Sequence, residues 1–313
     1  MQRTDKRQPI DFVSKRTIAT IISLVLLIGS VVSLATQGLN FGIDFTGGTM
    51  IELSYQTPAE LDKIREKLNQ AGYQEAVVQN FGSIYDVLIR LPAQASPNMA
   101  ELSNQIVSLL QQSEVELDIR RIEFVGPQVG KELTEQGGLA MVYALIGILI
   151  YVAFRFEYRF AIGSIMALIH DVLLTLGFFS VTQLSFDLTV LAAILAIIGY
   201  SLNDTIVVFD RIRETFLRLR KGHATEIVNH ALNATLRRTL MTSMTTLLVV
   251  ISLLIFGGEV IHGFALALFV GIIIGTYSSI YIASSTILAL GVSKADLMPP
   301  EKDSDVNEDG SQV

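Results

Sequence analysis

Six stretches of the chain stay apolar far longer than the core-facing side of a soluble helix requires. They are Ile18–Ala35, Leu139–Phe154, Ala161–Val181, Leu188–Phe209, Thr239–Phe256 and Phe264–Leu290. A helix rises about 1.5 Å per residue, so about 20 apolar residues cross the roughly 30 Å hydrocarbon core of a bilayer. The pattern predicts a polytopic α-helical membrane protein with six transmembrane helices. The breaks include a charged turn at Arg155–Arg159, a turn at Thr182–Asp187, and a basic amphipathic connector at 210–238 with Ile227, Ala231 and Leu232 on one face. Lys and Arg gather in short loops of one parity, Arg155, Arg159, Arg211, Arg213, Arg237 and Arg238 among them, and are missing from 182–187 and 257–263. By the positive-inside rule both termini are expected in the cytoplasm and residues 38–134 outside it.

Within 38–134 the periodicity changes. Thr49–Tyr55 alternates as a strand does, and Pro58–Ala71 has helical spacing through Leu61, Ile64 and Leu68 before Gly72. Ala76–Phe81 and Tyr85–Leu91 are strand-like runs around Gly82-Ser83. Met99–Leu110 is helical through Leu102 and Ile106, and Val115–Val125 alternates again, with Val115, Leu117 and Ile119 on one face. The order β-α-β-β-α-β predicts a ferredoxin-like α+β domain between the first two membrane helices. It offers no obvious pocket, and touching a partner or a passing polypeptide is its expected task.

Composition sharpens this picture without changing it. Of 313 residues half are hydrophobic and 17% charged, against about 25% charged in soluble domains. The net charge of −7 comes partly from the tail, 291–313, where Asp296, Glu301, Asp303, Asp305, Glu308 and Asp309 surround Pro299-Pro300. That tail is expected to be disordered, and it gives no reason to invoke nucleic acid. There is no cysteine, so disulfides and thiolate metal sites are excluded. Residues 1–16 are polar and basic, and with the following run they imitate a signal peptide ending at Ser33-Leu34-Ala35. The run exceeds the usual 7–15 residues of a signal core, so a retained first helix over 17–36 is expected.

Polar residues inside the spans carry the candidate chemistry. Asp204 lies within Leu188–Phe209, among Gly199, Tyr200, Ser201, Asn203 and Thr205. An ionised carboxylate near mid-helix costs about 2.5–3.5 kcal/mol on insertion scales, so it is expected to be neutral, paired or wetted. A proton or ion relay explains it better than a bond that merely joins helices. His170 and Asp171 sit in the third span; as consecutive residues they should point about 100° apart and cannot both face one groove squarely. Asp171 stays open between relay member and helix-to-helix glue, while His170 reads as a packing residue. Arg238 opens the fifth span within reach of Asp204 on an adjacent helix, where pairing would favour the ionised carboxylate and separation the protonated one. Thr239, Thr242, Ser243 and Thr246 form a hydroxyl stripe that either orders water or packs. Gly271 and Gly275, followed by Ser278 and Ser279, read as close helix packing. No metal, cofactor or covalent chemistry is expected: there is no HExxH, no phosphate-loop spacing and no nucleophile elbow.

Five motifs, FGIDFTGGT at Phe41–Thr49, VGPQVGKEL at Val125–Leu133, HDVLLTLG at His170–Gly177, GYSLNDTIVVFDRIRE at Gly199–Glu214 and RTLMTSMTT at Arg238–Thr246, resemble the SecF family in order and spacing over residues 12–291. The resemblance implies half of an RND-type bundle, completed by SecD, in a complex that uses the proton-motive force to help draw preprotein out on the periplasmic side of the bacterial inner membrane. The partners it implies are SecD, the SecYEG channel, YajC-type and YidC-type accessory proteins, the translocating preprotein and membrane lipid. It places the family's proton-path residues on Asp204 and Arg238; Asn203, Asp171 and Thr242 are read beside them as supporting polar membrane residues, with the role of Asp171 left open. Asp44, Gly47 and Gly48 fall in its glycine motif, read as structural. Two rival classes remain, half of an RND-type exporter of small molecules or lipids, which one small outer domain speaks against, and a purely structural assembly factor.

Overall fold

The computed structural model describes residues 10–92, 99–111, 117–219 and 222–293. In chain order the elements are α1 (Arg16–Thr36), β1 (Asn40–Phe41), α2 (Ile43–Thr46), β2 (Gly48–Tyr55), α3 (Leu61–Gln70), β3 (Val77–Phe81), β4 (Ser83–Leu91), α4 (Met99–Gln111) and β5 (Leu117–Val125). Then follow α5 (Pro127–Arg155), α6 (Tyr158–Thr182), β6 (Ser185–Phe186), α7 (Leu188–Arg218), α8 (Ala224–Phe256) and α9 (His262–Ala289). The tail beyond Ser293, the residues before Ile10, Val115, and the side chain of Leu102 lie outside the described residues.

Helices α1, α5, α6, α7, α8 and α9 are each long and apolar enough to cross a membrane. They are not equivalent. About half of the apolar window is buried in α6, α7 and α9, against 22% in α1, 11% in α5 and 17% in α8. The first three form the interior, and the others present apolar surface outward. Small residues set the close approaches. A Cβ at Gly271 would lie 2.3 Å from the Ile197 side chain, so α9 can rest on α7 only with glycine there. On the other side, Ser33 and Ser180 hydroxyls meet at 2.8 Å and join α1 to α6.

Outside the bundle, β2 to β5 form a four-stranded antiparallel sheet in the order β3-β4-β2-β5. Ile51 pairs with Ile89 and Leu53 with Val87, and all four are fully buried. Helices α3 and α4 cover this face with Ile64, Leu68, Ile106 and Leu110. The alternation read from sequence is the physical cause in the two central strands: with a period of two, Ile51 and Leu53 of β2 and Val87, Ile89 and Leu91 of β4 all turn to the face the helices cover.

Several boundaries differ from the hydropathy pattern. The second membrane helix was expected from Leu139, yet α5 starts at Pro127, inside the residues expected to belong to the insert. Pro at the first helical position suits a helix start, and the polar turns Gln128–Thr134 remain helical without needing lipid. The connector 210–238 is no separate element either. Helix α7 runs on to Arg218 and α8 begins at Ala224, so the connector consists mainly of two helix extensions. The N-terminal segment is also more than a polar lead. Phe12 is buried against α8, Asn229 accepts from Phe12 N (2.9 Å), and Asn233 both accepts from Ile10 N (2.9 Å) and donates to Ile10 O (2.8 Å).

Candidate functional site

Asp204 lies just under one turn beyond Ser201 on α7, with its side chain turned to α8. It is 4% exposed, and its Oδ2 has no hydrogen-bond partner among the described residues. The Arg238 guanidinium and the Ser243 hydroxyl, both from α8, act on its charge. Ser243 in turn meets Thr276 of α9 at 2.7 Å and accepts from the Tyr200 hydroxyl at 3.4 Å. Thr239, one turn before Ser243, is buried with its hydroxyl unpartnered. The carboxylate thus faces a hydroxyl-lined notch between three helices, with spare acceptor and donor capacity on both sides.

Arg238 does not close this notch. It is exposed, and no ion pair joins it to Asp204 among the described residues, although its charge reaches the carboxylate. Thr242 is exposed as well and spends its hydroxyl on its own helix, donating to Arg238 O (3.1 Å) and Thr239 O (2.9 Å). The helical period explains the split: Thr239 and Ser243 share the inward face of α8, whereas Arg238 and Thr242 lie one position round. Asn203, next to Asp204 in sequence, is likewise exposed on the outer side of α7.

Asp171 is the opposite case. It is fully buried on α6, and both oxygens are occupied. His170 Nδ1 lies 2.8 Å from Oδ1, Ser278 of α9 donates to Oδ2 at 2.7 Å, and Ser201 of α7 donates to the same oxygen. Although consecutive residues leave the helix about 100° apart, the His170 and Asp171 side chains meet. Rotation about the side-chain bonds brings the imidazole over the neighbouring carboxylate. With the carboxylate as acceptor the ring proton sits on Nδ1, leaving the buried Nε2 without a partner. Beside this ring, 6.2 Å away, lies Tyr277, whose hydroxyl donates to Ala19 O of α1 at 2.8 Å.

The glycine-motif residues lie elsewhere, at the joint between sheet and bundle. Asp44 Oδ2 accepts from Leu188 N at 3.0 Å, and Asp187 Oδ1 accepts from Val190 N at 2.9 Å, so two carboxylates cap α7. Gly47 and Gly48 have φ of +69° and +126°, a turn that side chains disfavour. Gly130 packs so closely on this turn that a Cβ would lie 2.8 Å from Gly47 N, and Thr134 donates to Phe45 O at 3.2 Å. Phe41, Phe45 and Phe186 pack with ring centroids 5.7–6.0 Å apart. The start of α5, the start of α7 and the first strand of the sheet are thereby fixed to one another.

Sequence reasoning reached Asp204, Asp171 and the glycine motif, but missed the roles of Ser201, Ser278 and Thr276. The available signal was the density of hydroxyls at 276–279 facing 200–205. Among the described residues no cluster of three His, Asp or Glu side chains gathers as a metal site would.

A six-helix bundle with a small α+β domain at one end and buried carboxylates inside defines a multi-pass membrane protein of the transport type. Comparison with known proteins narrows this. The family "Protein export membrane protein SecD/SecF, C-terminal" matches residues 105–293, and the "SecD/SecF GG Motif" matches residues 32–59. Protein translocase subunit SecF of Pseudomonas aeruginosa is 50% identical over 294 residues, covering 93% of this chain and 95% of that one. The Vibrio alginolyticus SecF is 52% identical over 293 residues, covering 93% of each. A crystal structure of SecDF from Thermus, a translocon-associated membrane protein, matches with a TM-score of 0.83 and 39% identity over 93% of this chain. The match spans 39% of that longer chain. A second SecDF structure, in a super-membrane-facing form, matches with a TM-score of 0.67. The chain belongs to the SecF family of protein translocase subunits, accessory components of the Sec translocase.

Proposed function

We propose that this subunit, together with SecD, uses the proton-motive force to promote preprotein translocation and release on the outer side of the membrane. The observation that carries the reading is Asp204: buried mid-span, with one carboxylate oxygen unpartnered and a cation nearby that does not pair with it. Such a group can take up and give back a proton, and each change alters what α8 and α9 must offer it. One charge crossing the full field yields about 2.3 kcal/mol per 100 mV, enough to bias a two-state element about fifty-fold. Helix α7 begins at the Asp44 joint, so a shift of α7 has a direct mechanical route to the sheet.

The outward polar face of α7 and α8, with Asn203, Arg238 and Thr242, is costly against lipid and suits a partner helix; SecD is the occupant we assign. The sheet order β3-β4-β2-β5 with α3 and α4 on one face supports the ferredoxin-like reading of the outer domain. The positive-inside pattern supports cytoplasmic termini in the bacterial inner membrane, with residues 38–134 periplasmic. Contact with SecYEG, and with YajC-type and YidC-type proteins, belongs to the same reading, which assigns no enzymatic step.

Preprotein release from inverted membrane vesicles, with and without a proton gradient, tests this at equal subunit levels. Asp204→Asn should insert and co-purify with SecD yet lose the gradient-dependent part of release. Full gradient-dependent release in the variant would leave a scaffold, a role for which the fully bonded Asp171 already supplies a fastening.

A further inference from the structure

Between the sheet and the adjoining end of the bundle lies a cavity of about 380 Å³. Strands β4 and β5 bring Arg90, Arg121 and Glu123 to it, the glycine motif brings Asp44, and the cap of α7 brings Asp187. Arg121 is already bonded to Glu123. Asp44 and Asp187 each use one oxygen to cap α7. Arg90 is different. It is only 8% exposed, and Nη1 alone is bonded, to Asn40 Oδ1 at 3.2 Å and Phe41 O at 3.3 Å. Its Nε and Nη2 are buried without a partner among the described residues.

An empty Nε–Nη2 edge is a fork whose spacing matches two oxygens of one phosphate or carboxylate. Burial pulls the Arg90 guanidinium down from its ordinary value, and the charge of Asp187 opposes this without forming an ion pair. An arginine so placed strongly favours an oxygen ligand.

The depth of the cavity selects the source of that ligand. Helix α6 has 25 residues, about 37 Å at 1.5 Å per residue, so its far end stands at headgroup depth when the bundle spans a bilayer. Leu184, just past that end, and Val260, before α9, line the cavity and are themselves 40% and 54% exposed. The apolar wall therefore continues onto the lipid-facing side of the bundle. Asp44 and Asp187 face the same space, so a bare anion meets repulsion, while a phosphate with an ammonium beside it does not. The volume is that of a small-molecule pocket.

We propose that this cavity binds the headgroup of an amine-bearing phospholipid, its phosphate on the Nε–Nη2 edge of Arg90 and its ammonium toward Asp187 and Asp44. The full chain in complex with SecD, in detergent, would be titrated with phosphatidylethanolamine, phosphatidylglycerol, inorganic phosphate or a short peptide with a free C-terminal carboxylate, and bound adducts counted by native mass spectrometry. Phosphatidylethanolamine should be retained in preference to the others, and about ten-fold more weakly by Arg90→Gln, as expected for a lost charge-assisted fork. Leu184→Trp fills the cavity and leaves every bond of Arg90 intact, so it should weaken retention equally while lipid-free thermal unfolding stays at the wild-type temperature. Equal retention by wild type and both variants would overturn the proposal. So would phosphatidylglycerol binding as tightly, or Arg90-dependent uptake of phosphate or peptide in place of lipid.

Discussion

Asp171 and Asp204 are both buried carboxylates of one membrane bundle, and their surroundings are opposite. Asp171 collects His170, Ser201 and Ser278 from its own helix and two others, so both of its oxygens have partners. Asp204 sits just under one turn from Ser201 on α7, with Oδ2 unbonded among the described residues and a nearby cation that does not pair with it. A fully bonded group is stable in one arrangement and resists change. One with unmet capacity has an arrangement that depends on whether it carries a proton. Equal burial therefore does not mean equal function: the first ties α6, α7 and α9 together, and the second leaves α7 and α8 free to respond.

The largest expected effect concerns the tie. Asp171→Leu removes the acceptor of His170, Ser201 and Ser278 in the interior, and each buried polar group left unsatisfied costs about 1–3 kcal/mol. Thermal unfolding of the detergent-solubilised complex should show loss of stable assembly; wild-type stability would remove the contrast. Gly271→Leu comes next. Its side chain would overlap Ile197, and overpacking costs about 1–3 kcal/mol, read in the same assay. Ser243→Ala should cost about 1 kcal/mol or less in stability, yet, on the proposed reading, lower gradient-dependent release several-fold, because the Ser243 hydroxyl acts on the Asp204 carboxylate. A change in stability alone would place Ser243 with the packing residues.

The smallest effect lies in the outer domain, at the buried carboxylate of Asp86. Burial of Asp86 would raise its pKa, but hydrogen bonds from Ser83 and Ser54 and the charge of Arg120 outweigh this and hold it below the ordinary 3.8. A carboxylate depressed in the folded state stabilises it above the unfolded value, and the gain disappears as pH falls through the folded value. Asp86→Asn should therefore unfold more readily than wild type at neutral pH, with the two curves converging below pH 3.8. Curves that stay parallel into acid would remove Asp86 from the ion-pair account.

Much of the fold was legible in the chain, because six long apolar runs and one β-α-β-β-α-β insert have few physical solutions. The division into inner and outer helices was not, since hydropathy scores lipid and protein surroundings alike. Asp204 stood out as a charge in an apolar run. Ser201, Ser278 and Thr276 did not, because hydroxyls bond readily to their own helix and arouse no suspicion there. The rotation that brings His170 onto Asp171 is a side-chain matter that residue spacing does not reveal. Nor could spacing join Asp44 to Leu188, which are 144 residues apart along the chain. The start of α5 was hidden for a simpler reason: the Gln128–Thr134 turns are helical but polar.

On the proposed reading, Asp204 changes protonation in the working protein and Asp171 serves as a fastening between helices. Infrared difference spectroscopy of the complex in lipid, between high and low external pH, reads carboxyl protonation directly. The account predicts a carboxyl band that vanishes in Asp204→Asn and persists in Asp171→Asn wherever that variant still assembles. A band that survives Asp204→Asn unchanged would contradict it.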